Sequence, residues 1–351
     1  MARYRVIVVD DSAFMRNLIK NIIFEESEFE VVYSAKNGKE AVDKVLELKP
    51  DVVTMDIEMP IMNGLEALQK IMENQPTPVL MLSNLTDFGT AETIKALQYG
   101  AVDFVKKPSL ATSLNIHKHR FPFMDKLRNA VQSNVKRHLP SYNHESENSI
   151  QPLKKKGSYE FEHLVALGTS TGGPRALQQI LTSLPESFTA PILIVQHMPP
   201  KFTKSLAERL NMLSPIRVVE AEHGQELETA SAYIAPGDWH MGLKKEQGKY
   251  KIHLSKEELR TGHRPSVDYL FESLVPFQEL EKHIVIMTGM GSDGAEGMKL
   301  LIDSGVSSTI VESEESCIIY GMPRAATEMN DVDYVLSIDR IAPKLVDLVT
   351  K

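Results

Sequence analysis

Short apolar runs alternate with helix-like stretches along the first third of the chain. Each run is four to six residues long, which is typical of a buried strand. Stretches such as residues 12–24 and 65–73 between them predict helices. Because strands that alternate with helices form parallel sheets, this part predicts an α/β fold with a five-stranded parallel sheet. The predicted strands are residues 5–9, 30–35, 51–55, 78–82 and 102–105.

The alternation stops after the fifth run. Residues 109–123, SLATSLNIHKHRFPF, predict an extended connection before a last helix at about Met124–Val135. Residues 136–157 have no apolar periodicity and predict a solvated linker. The basic triplet 154–156 in that linker is interpreted as a solvated charge run, with a docking patch as the alternative.

Apolar runs return after the linker, at 164–167, 192–195, 284–287 and 308–311. Helix-like stretches follow most of them, and a C-terminal helix ends the chain. Residues 216–260 predict shorter strands and turns, and residues 318–326 predict a loop. We therefore expect a second α/β domain. The predicted division is residues 1–135 for the first domain, 136–157 for the linker and 158–351 for the second domain.

Charge and composition exclude several classes of protein. Residues 158–351 hold 18 Lys and Arg against 27 Asp and Glu, which argues against a DNA-binding output domain because such a domain has a basic face. The single cysteine, Cys317, excludes an intramolecular disulfide framework. The N-terminus predicts no signal peptide, and no run is long enough to span a membrane. We therefore expect a cytoplasmic protein.

Polar side chains follow the ends of the predicted strands in the first domain. Because the carboxyl ends of parallel strands share one edge of the sheet, these side chains should lie together. Three carboxylates there would repel one another without a cation, and oxygen ligands suit Mg²⁺. A lysine at the same edge could pair with an added phosphoryl group. The residues are Asp10, Asp11, Asp56, Ser83 and Lys107.

This domain resembles the receiver domain of two-component response regulators over about residues 1–130. The matching motifs are DD at 10–11, MDIEMPIMNG at 55–64, Ser83 and DFVKKP at 103–108. The resemblance implies a flavodoxin-like fold in which Asp56 accepts a phosphoryl group from a histidine kinase. It also implies contacts from Ser83 and Lys107 to that group, and a switching aromatic ring at Phe104. The implied Mg²⁺ ligands are Asp10, Asp11, Asp56 and the backbone carbonyl of Glu58.

The second domain opens with HLVALGTSTGGPRAL, residues 163–177. It predicts a strand, a tight glycine turn and a helix, with Pro174 suited to the first helical position. Ser170 would lie at the strand end, before the positive end of the helix dipole, where a developing oxyanion is favoured. This stretch alone leaves three interpretations open: a nucleophile, a phosphate-binding loop and a plain helix cap.

Two further strand ends carry His197 and Asp293. Together with Ser170 they could form a Ser–His–Asp triad at one edge of the sheet. Competing interpretations are nucleotide binding and a non-catalytic domain. His240 could line the same cleft, whereas Ser266 and Asp268 fit helix caps equally well. The histidines show no local spacing typical of a zinc site.

The second domain resembles the CheB-type chemotaxis methylesterases over about residues 159–350. The resemblance implies a doubly wound, mostly parallel α/β/α hydrolase domain with Ser170 as nucleophile, His197 as base and Asp293 as third member. It implies that Thr171 supports the site and that Met290 lies beside the oxyanion pocket; it gives Arg324 no role. Thr169 and Ser292 are small departures from the family pattern. The motifs are LGTSTGGP, VQHMP, APGDWHM, HRPSVD, TGMGSDGAEGM and YGMPRAA.

The two resemblances together imply a phosphorylation-activated hydrolase. It would demethylate glutamyl methyl esters on methyl-accepting chemoreceptors, release methanol and deamidate receptor glutamines, with Mg²⁺ needed for phosphorylation and no cofactor for ester hydrolysis. They imply that the unphosphorylated receiver covers the active-site edge, and we expect a monomer that neither binds nucleic acid nor inserts into a membrane. The alternatives are a response regulator with a non-catalytic partner- or nucleotide-binding output domain, and a small-molecule carboxylesterase.

Overall fold

The computed structural model describes residues 3–83, 87–107, 116–135, 158–329 and 331–350. The predicted linker and residues 109–115 lie outside this part. The chain forms two compact units, Met1–Tyr142 and Asn143–Lys351, here called the first and second units. Each unit is built around its own parallel sheet, which confirms the predicted α/β class.

The first unit contains a five-stranded sheet of order β2-β1-β3-β4-β5, in which every neighbouring pair is parallel. This order is the flavodoxin-like one, with a change of direction between β1 and β3. The central strands β3 and β4 are fully buried because helices cover both faces of such a sheet, whereas the edge strands β2 and β5 are only partly buried. Their bounds are β1 Tyr4–Val9, β2 Phe29–Ala35, β3 Val52–Asp56, β4 Val79–Ser83 and β5 Asp103–Lys106.

Side-chain caps begin the first three helices of this unit. The side chains of Ser12, Asn37 and Asn63 each accept a hydrogen bond from the backbone N–H three residues later, which satisfies a donor that the helix leaves free. No helix is predicted from the sequence between the fourth and fifth strands, where α4 lies. The helices are α1 Ala13–Phe24, α2 Gly38–Leu48, α3 Gly64–Asn74, α4 Asp87–Gln98 and α5 Ile116–Gln132.

Helix α5 corrects the predicted extended connection over 109–123, because residues from Ile116 onward are helical. Pro122 lies inside this helix and removes one backbone hydrogen bond. Phe123, Leu127 and Ala130 are buried at helical spacing, and their packing outweighs that loss. The basic and aromatic composition of the stretch concealed this buried face.

The second unit contains a seven-stranded sheet of order β14-β13-β12-β6-β7-β9-β8, again with all pairs parallel. An antiparallel hairpin, β10 with β11, forms a separate sheet. The strands are β6 His163–Thr169, β7 Ile192–Gln196, β8 Arg217–Glu220, β9 Ser231–Ile234, β10 His240–Glu246, β11 Lys249–Ser255, β12 Glu281–Ile286, β13 Ser308–Glu312 and β14 Tyr334–Leu336.

The helices of this unit pack in two groups, as expected for a doubly wound sheet. Helix α6 contacts α7 and α11, whereas α9 contacts α8 and α10. Strand β6 is central: the chain leaves it towards β7 on one side, and β12 lies on the other. Ligands bind at such a change of direction, outside the carboxyl ends of the strands. The helices are α6 Gly173–Ser183, α7 Phe202–Leu213, α8 Val267–Leu274, α9 Ala295–Asp303, α10 Met322–Met329 and α11 Ile338–Val349.

Helix α10 corrects a second prediction, because residues 322–326 of the expected loop 318–326 are helical. Pro323 is the second residue of α10 and suits a helix start, where its missing N–H is not needed. Met322 and Ala326 are buried one turn apart, which anchors this short helix. Within the described ranges, no helix combines the length and apolar character needed to cross a membrane.

Candidate functional site

Three carboxylates meet at the carboxyl edge of the first unit's sheet. Asp10 and Asp56 are buried at the ends of β1 and β3, and Asp11 is exposed. One ligand atom from each lies within 4.8 Å of the others. Oxygens on opposite sides of a bound Mg²⁺ are about 4.2 Å apart, so this oxygen-only set fits that ion. Asp11 and Glu58 also line a cavity of about 400 Å³.

Lys107 lies between two of these acids. Its Nζ is 2.9 Å from Asp10 Oδ2 and 2.7 Å from Asp56 Oδ1. Burial raises the pKa of Asp56 to about 6, although Lys107 opposes this. Burial also disfavours the charged lysine, but the two carboxylates outweigh it and raise the Lys107 pKa. A fixed cation therefore lies against the carboxylate that the sequence analysis singled out for phosphorylation.

The other two predicted switch residues are buried near this edge. Ser83 ends β4, and its Oγ accepts a hydrogen bond from Thr93 Oγ1 at 2.6 Å. Phe104 lies in β5, and Lys126 Nζ is 4.9 Å from its ring centroid. The hydrogen bond between Ser83 and Thr93 could not be predicted from the sequence, because Thr93 lies in α4 and that helix was not predicted.

Ser170 follows β6 directly and precedes α6. Gly172 occupies the turn with φ of 83°, which few residues other than glycine adopt. The Ser170 backbone N–H donates to the carbonyl of Thr288, which follows β12, at 3.0 Å. The Thr288 hydroxyl donates to the Thr171 carbonyl at 2.9 Å. Thr288 therefore fixes the turn that carries Ser170 against the loop that carries Asp293.

His197 and Asp293 form a direct pair. His197 Nε2 is 2.7 Å from Asp293 Oδ2, and both side chains are almost fully buried. The carboxylate also accepts hydrogen bonds from Ser266 Oγ and from the backbone N–H groups of Val267 and Asp268. Burial opposes ionisation, but the hydrogen bonds from His197 and the backbone outweigh it and hold the Asp293 pKa below its usual range. An ionised Asp293 accepts from Nε2–H and leaves Nδ1 as the basic nitrogen of the ring.

That nitrogen is available for a proton. His197 Nδ1 is buried and has no hydrogen-bond partner in the described part of the chain. In that part, no hydrogen bond joins Ser170 Oγ to His197, a common state for a site without substrate. The His263 ring stacks on His197 with centroids 3.9 Å apart and planes 6° from parallel, which fixes the plane of the imidazole. Sequence reasoning missed this partner because HRPSVD lies far from VQHMP along the chain.

The two residues that fitted helix caps also contact Asp293 and its loop. Ser266 caps α8 by accepting from the Tyr269 N–H, and its hydroxyl donates to Asp293 at 2.8 Å. Asp268 accepts from the N–H groups of Gly294 and Gly297 at 2.9 and 2.7 Å. Burial and the neighbouring Asp293 raise the pKa of Asp268 to about 7. Both residues cap helices and also support the loop that carries Asp293.

The remaining candidates differ in exposure. His240 is buried, stacks on Tyr269 at 4.6 Å and contacts the Glu258 carbonyl through Nε2. These contacts give it a structural role in the fold. Met290 is 45% exposed on the loop after β12, whereas Thr171 is buried.

Glu312, a buried acid at the end of β13, supports the loop after β12 that carries Asp293. Glu312 Oε2 accepts from the Thr288 N–H at 2.8 Å, and Oε1 accepts from Ser316 Oγ at 2.9 Å. Burial raises the pKa of Glu312 to about 7. Between its unfolded pKa near 4.5 and this value, the folded chain binds more protons than the unfolded chain. Stability of the second unit should therefore fall as the pH rises through this range.

We expect Glu312→Gln to remove this pH dependence, because glutamine does not ionise. Relative to the wild type, the variant should gain up to about 3 kcal/mol of unfolding free energy between pH 5 and pH 8. Urea unfolding followed by fluorescence of Trp239, the single tryptophan, measures this in the second unit. Glu315→Gln, at an exposed position, is the control, and equal pH slopes in all three proteins would contradict the assignment.

Known proteins match this chain over both of its units. The family model described as CheB methylesterase matches residues 165–345, and the response regulator receiver domain model matches residues 6–117. A protein-glutamate methylesterase/protein-glutamine glutaminase of Geobacillus kaustophilus is 47% identical over 99% of both chains. One of that name from Bacillus licheniformis is 45% identical over 99% of both. The crystal structure of the Thermotoga maritima CheB methylesterase catalytic domain matches with a TM-score of 0.52 and 44% identity, covering 53% of this chain and 98% of that one. The chain therefore belongs to the CheB methylesterase family, with a response regulator receiver domain preceding its methylesterase domain.

Proposed function

We propose that this chain is a phosphorylation-activated protein-glutamate methylesterase and protein-glutamine glutaminase that acts on chemoreceptors. The observation that carries the proposal is the 2.7 Å contact of His197 with Asp293 at the sheet edge where Ser170 follows β6. The names of relatives that match almost the whole chain support the substrate class. The test is methanol release from methylated chemoreceptor membranes, compared between the wild type and variants.

The esterase chemistry follows from the three side chains. Ser170 Oγ attacks the ester carbonyl as its proton passes to His197 Nδ1, and Asp293 stabilises the imidazolium. Collapse of the tetrahedral intermediate breaks the bond to the methoxy oxygen, which takes the proton from His197 and leaves as methanol. Water then attacks the acyl-serine and gives a proton to His197. As the bond to Ser170 Oγ breaks, that proton passes to Oγ, which releases glutamate and restores Ser170 and neutral His197.

A glutamine side chain enters the same sequence of steps, with ammonia as the leaving group. Both reactions build negative charge on the carbonyl oxygen. Backbone N–H groups at the start of α6 and in the loop 289–294 are suited to bind that oxyanion. In this proposal, Thr171 supports the turn from beneath and Met290 borders the oxyanion pocket.

In the receiver domain, Asp56 accepts a phosphoryl group from a chemotaxis histidine kinase. Asp10, Asp11, Asp56 and the Glu58 backbone carbonyl would hold Mg²⁺, whose charge offsets that of the phosphoryl oxygens when it is bound. Lys107, already 2.7 Å from Asp56, pairs with the added charge, and Ser83 turns towards it. Phe104 is proposed to follow Ser83 as the switching ring. A cytoplasmic location and a monomeric state stay predictions.

Asp56→Asn should abolish activation by phosphorylation, because the amide is not a phosphoacceptor. Wild-type methanol release should rise with Mg²⁺ and a small phosphodonor, whereas release by the variant should stay constant. The measurement is initial methanol release with and without phosphodonor.

Asp43→Asn, at an exposed position of α2, is the matched control and should respond like the wild type. A phosphodonor response that persists in Asp56→Asn would place phosphorylation elsewhere. If methanol release by the wild type did not change with phosphodonor, the proposed esterase activity would stand, and its activation by phosphorylation of the receiver domain would be rejected.

A further inference from the structure

Ser170 and His197 must approach each other for the proposed reaction, yet they lie on separate loops. Their strands, β6 and β7, pair in parallel up to Thr169 opposite Gln196. The last backbone link is the His197 N–H donating to the Thr169 carbonyl at 3.2 Å. Beyond it, the described backbone of Ser170 bonds to Thr288 and Gly173 and not to His197, so a direct link between nucleophile and base requires a side chain.

One buried side chain joins the two residues. Gln196 is 2% exposed, and its Nε2 donates to the carbonyl of Ser170 at 3.0 Å and to that of His197 at 3.2 Å. Two carbonyl acceptors require the NH₂ end of the amide, so they fix which way the amide faces. The Gln196 side-chain amide therefore links the backbone of Ser170 to the backbone of His197 through these two hydrogen bonds.

The surroundings of this amide are shaped to admit it. A Cβ built at Gly173 would overlap both Oε1 of Gln196 and the side chain of Thr169, so glycine at the first position of α6 leaves room for these two side chains. The Gly173 N–H also donates to the Ser170 carbonyl at 2.8 Å. The Ser170 carbonyl therefore accepts from both the helix start and Gln196.

The amide also carries a cost. Gln196 Oε1 is buried with no hydrogen-bond partner among the residues that the structure describes. A buried unsatisfied oxygen is destabilising, and an apolar side chain of similar size would avoid this penalty. Glutamine at this position is therefore explained by the two hydrogen bonds that its Nε2 donates, which offset the penalty of the unsatisfied Oε1.

We propose that Gln196 is a positioning residue that sets the approach of Ser170 Oγ to His197 Nδ1. It acts through the backbones of both residues and does not touch the substrate. The inference rests on the proposed function, because it assigns Ser170 and His197 their roles as nucleophile and base.

The test uses the full-length chain with Gln196→Leu and Gln196→Glu, and with Gln179→Glu at an exposed position of α6 as control. One readout is the rate of Ser170 labelling by a fluorophosphonate, which needs no physiological substrate. The others are kcat and KM for methanol release, and urea unfolding followed by Trp239. We expect labelling and kcat of Gln196→Leu to fall by about 10- to 100-fold with KM little changed, since small misplacements of reacting groups cost that much.

The glutamate variant separates positioning from stability and serves if Gln196→Leu does not fold. Its carboxyl can donate a hydrogen bond only when protonated, so its labelling rate relative to the wild type should rise as the pH falls. Wild-type labelling in a folded Gln196 variant, or lowered stability with unchanged kcat, would overturn the proposal. If the wild type were labelled at Ser170 but released no methanol, the proposed chemoreceptor substrate would be rejected. The labelling rates alone would then test the role of Gln196.

Discussion

Replacing Ser170 with alanine should reduce methanol release from methylated chemoreceptors on the order of 10⁴- to 10⁶-fold. The hydroxyl is the only atom group that this change removes, and no acyl-enzyme forms without it. His197 and Asp293 keep their 2.7 Å contact, so the remaining rate reflects oxyanion binding alone. The measurement is kcat for methanol release in the presence of Mg²⁺ and phosphodonor.

Two controls make the loss specific. Ser183→Ala removes an exposed hydroxyl at the end of α6 and should retain full activity. Ser170→Ala should still incorporate phosphate at Asp56, because the phosphoacceptor lies in the other unit. Full methanol release by Ser170→Ala would reject the nucleophile, and phosphorylation without release in the wild type would favour a non-catalytic output domain.

Strand ends explain why much of the site could be predicted from the sequence. In a parallel sheet, apolar runs stop where the chain leaves the core, so the polar residues that follow share one edge. This reasoning brought Asp10, Asp56 and Lys107 together in one unit, as the structure does. In the other unit it paired His197 with Asp293, 96 positions apart.

Contacts that depend on packing had no comparable signal. His263 stacks on His197, and the Gln196 amide joins two backbones. Neither belongs to a period or spacing that a single sequence displays. The start of helix α5 was placed too late for the same reason, since buried residues such as Phe123 pack while the chain stays helical through Pro122, whereas the predicted helix from Met124 overlaps the observed one. The local sequence pattern predicts where strands and helices end, whereas contacts between residues far apart in the sequence depend on tertiary packing.

Asp293→Asn should lower kcat on the order of 10⁴-fold at neutral pH, the loss expected when the base takes the wrong tautomer. Its two oxygens accept from four donors, including the N–H groups of Val267 and Asp268. Either orientation of an amide would place its NH₂ against one of these N–H groups. With NH₂ towards His197, Nε2 must accept, and Nδ1 then carries the proton that should come from Ser170. The measurement is kcat across pH 6–9, with Trp239 unfolding to verify the fold.

The neighbouring acid gives a matched comparison, because Asp268 is also buried and contacts the same loop. Burial and the nearby Asp293 raise its pKa, so its surroundings favour the neutral form, which asparagine resembles. The Oδ1 of asparagine can still accept from Gly294 and Gly297, as the aspartate does. Asp268→Asn should therefore change kcat less than about tenfold, or about 1.4 kcal/mol in barrier. Equal losses in the two variants would mean that Asp293 only holds the loop, whereas a loss confined to Asp293→Asn assigns it the orientation of His197.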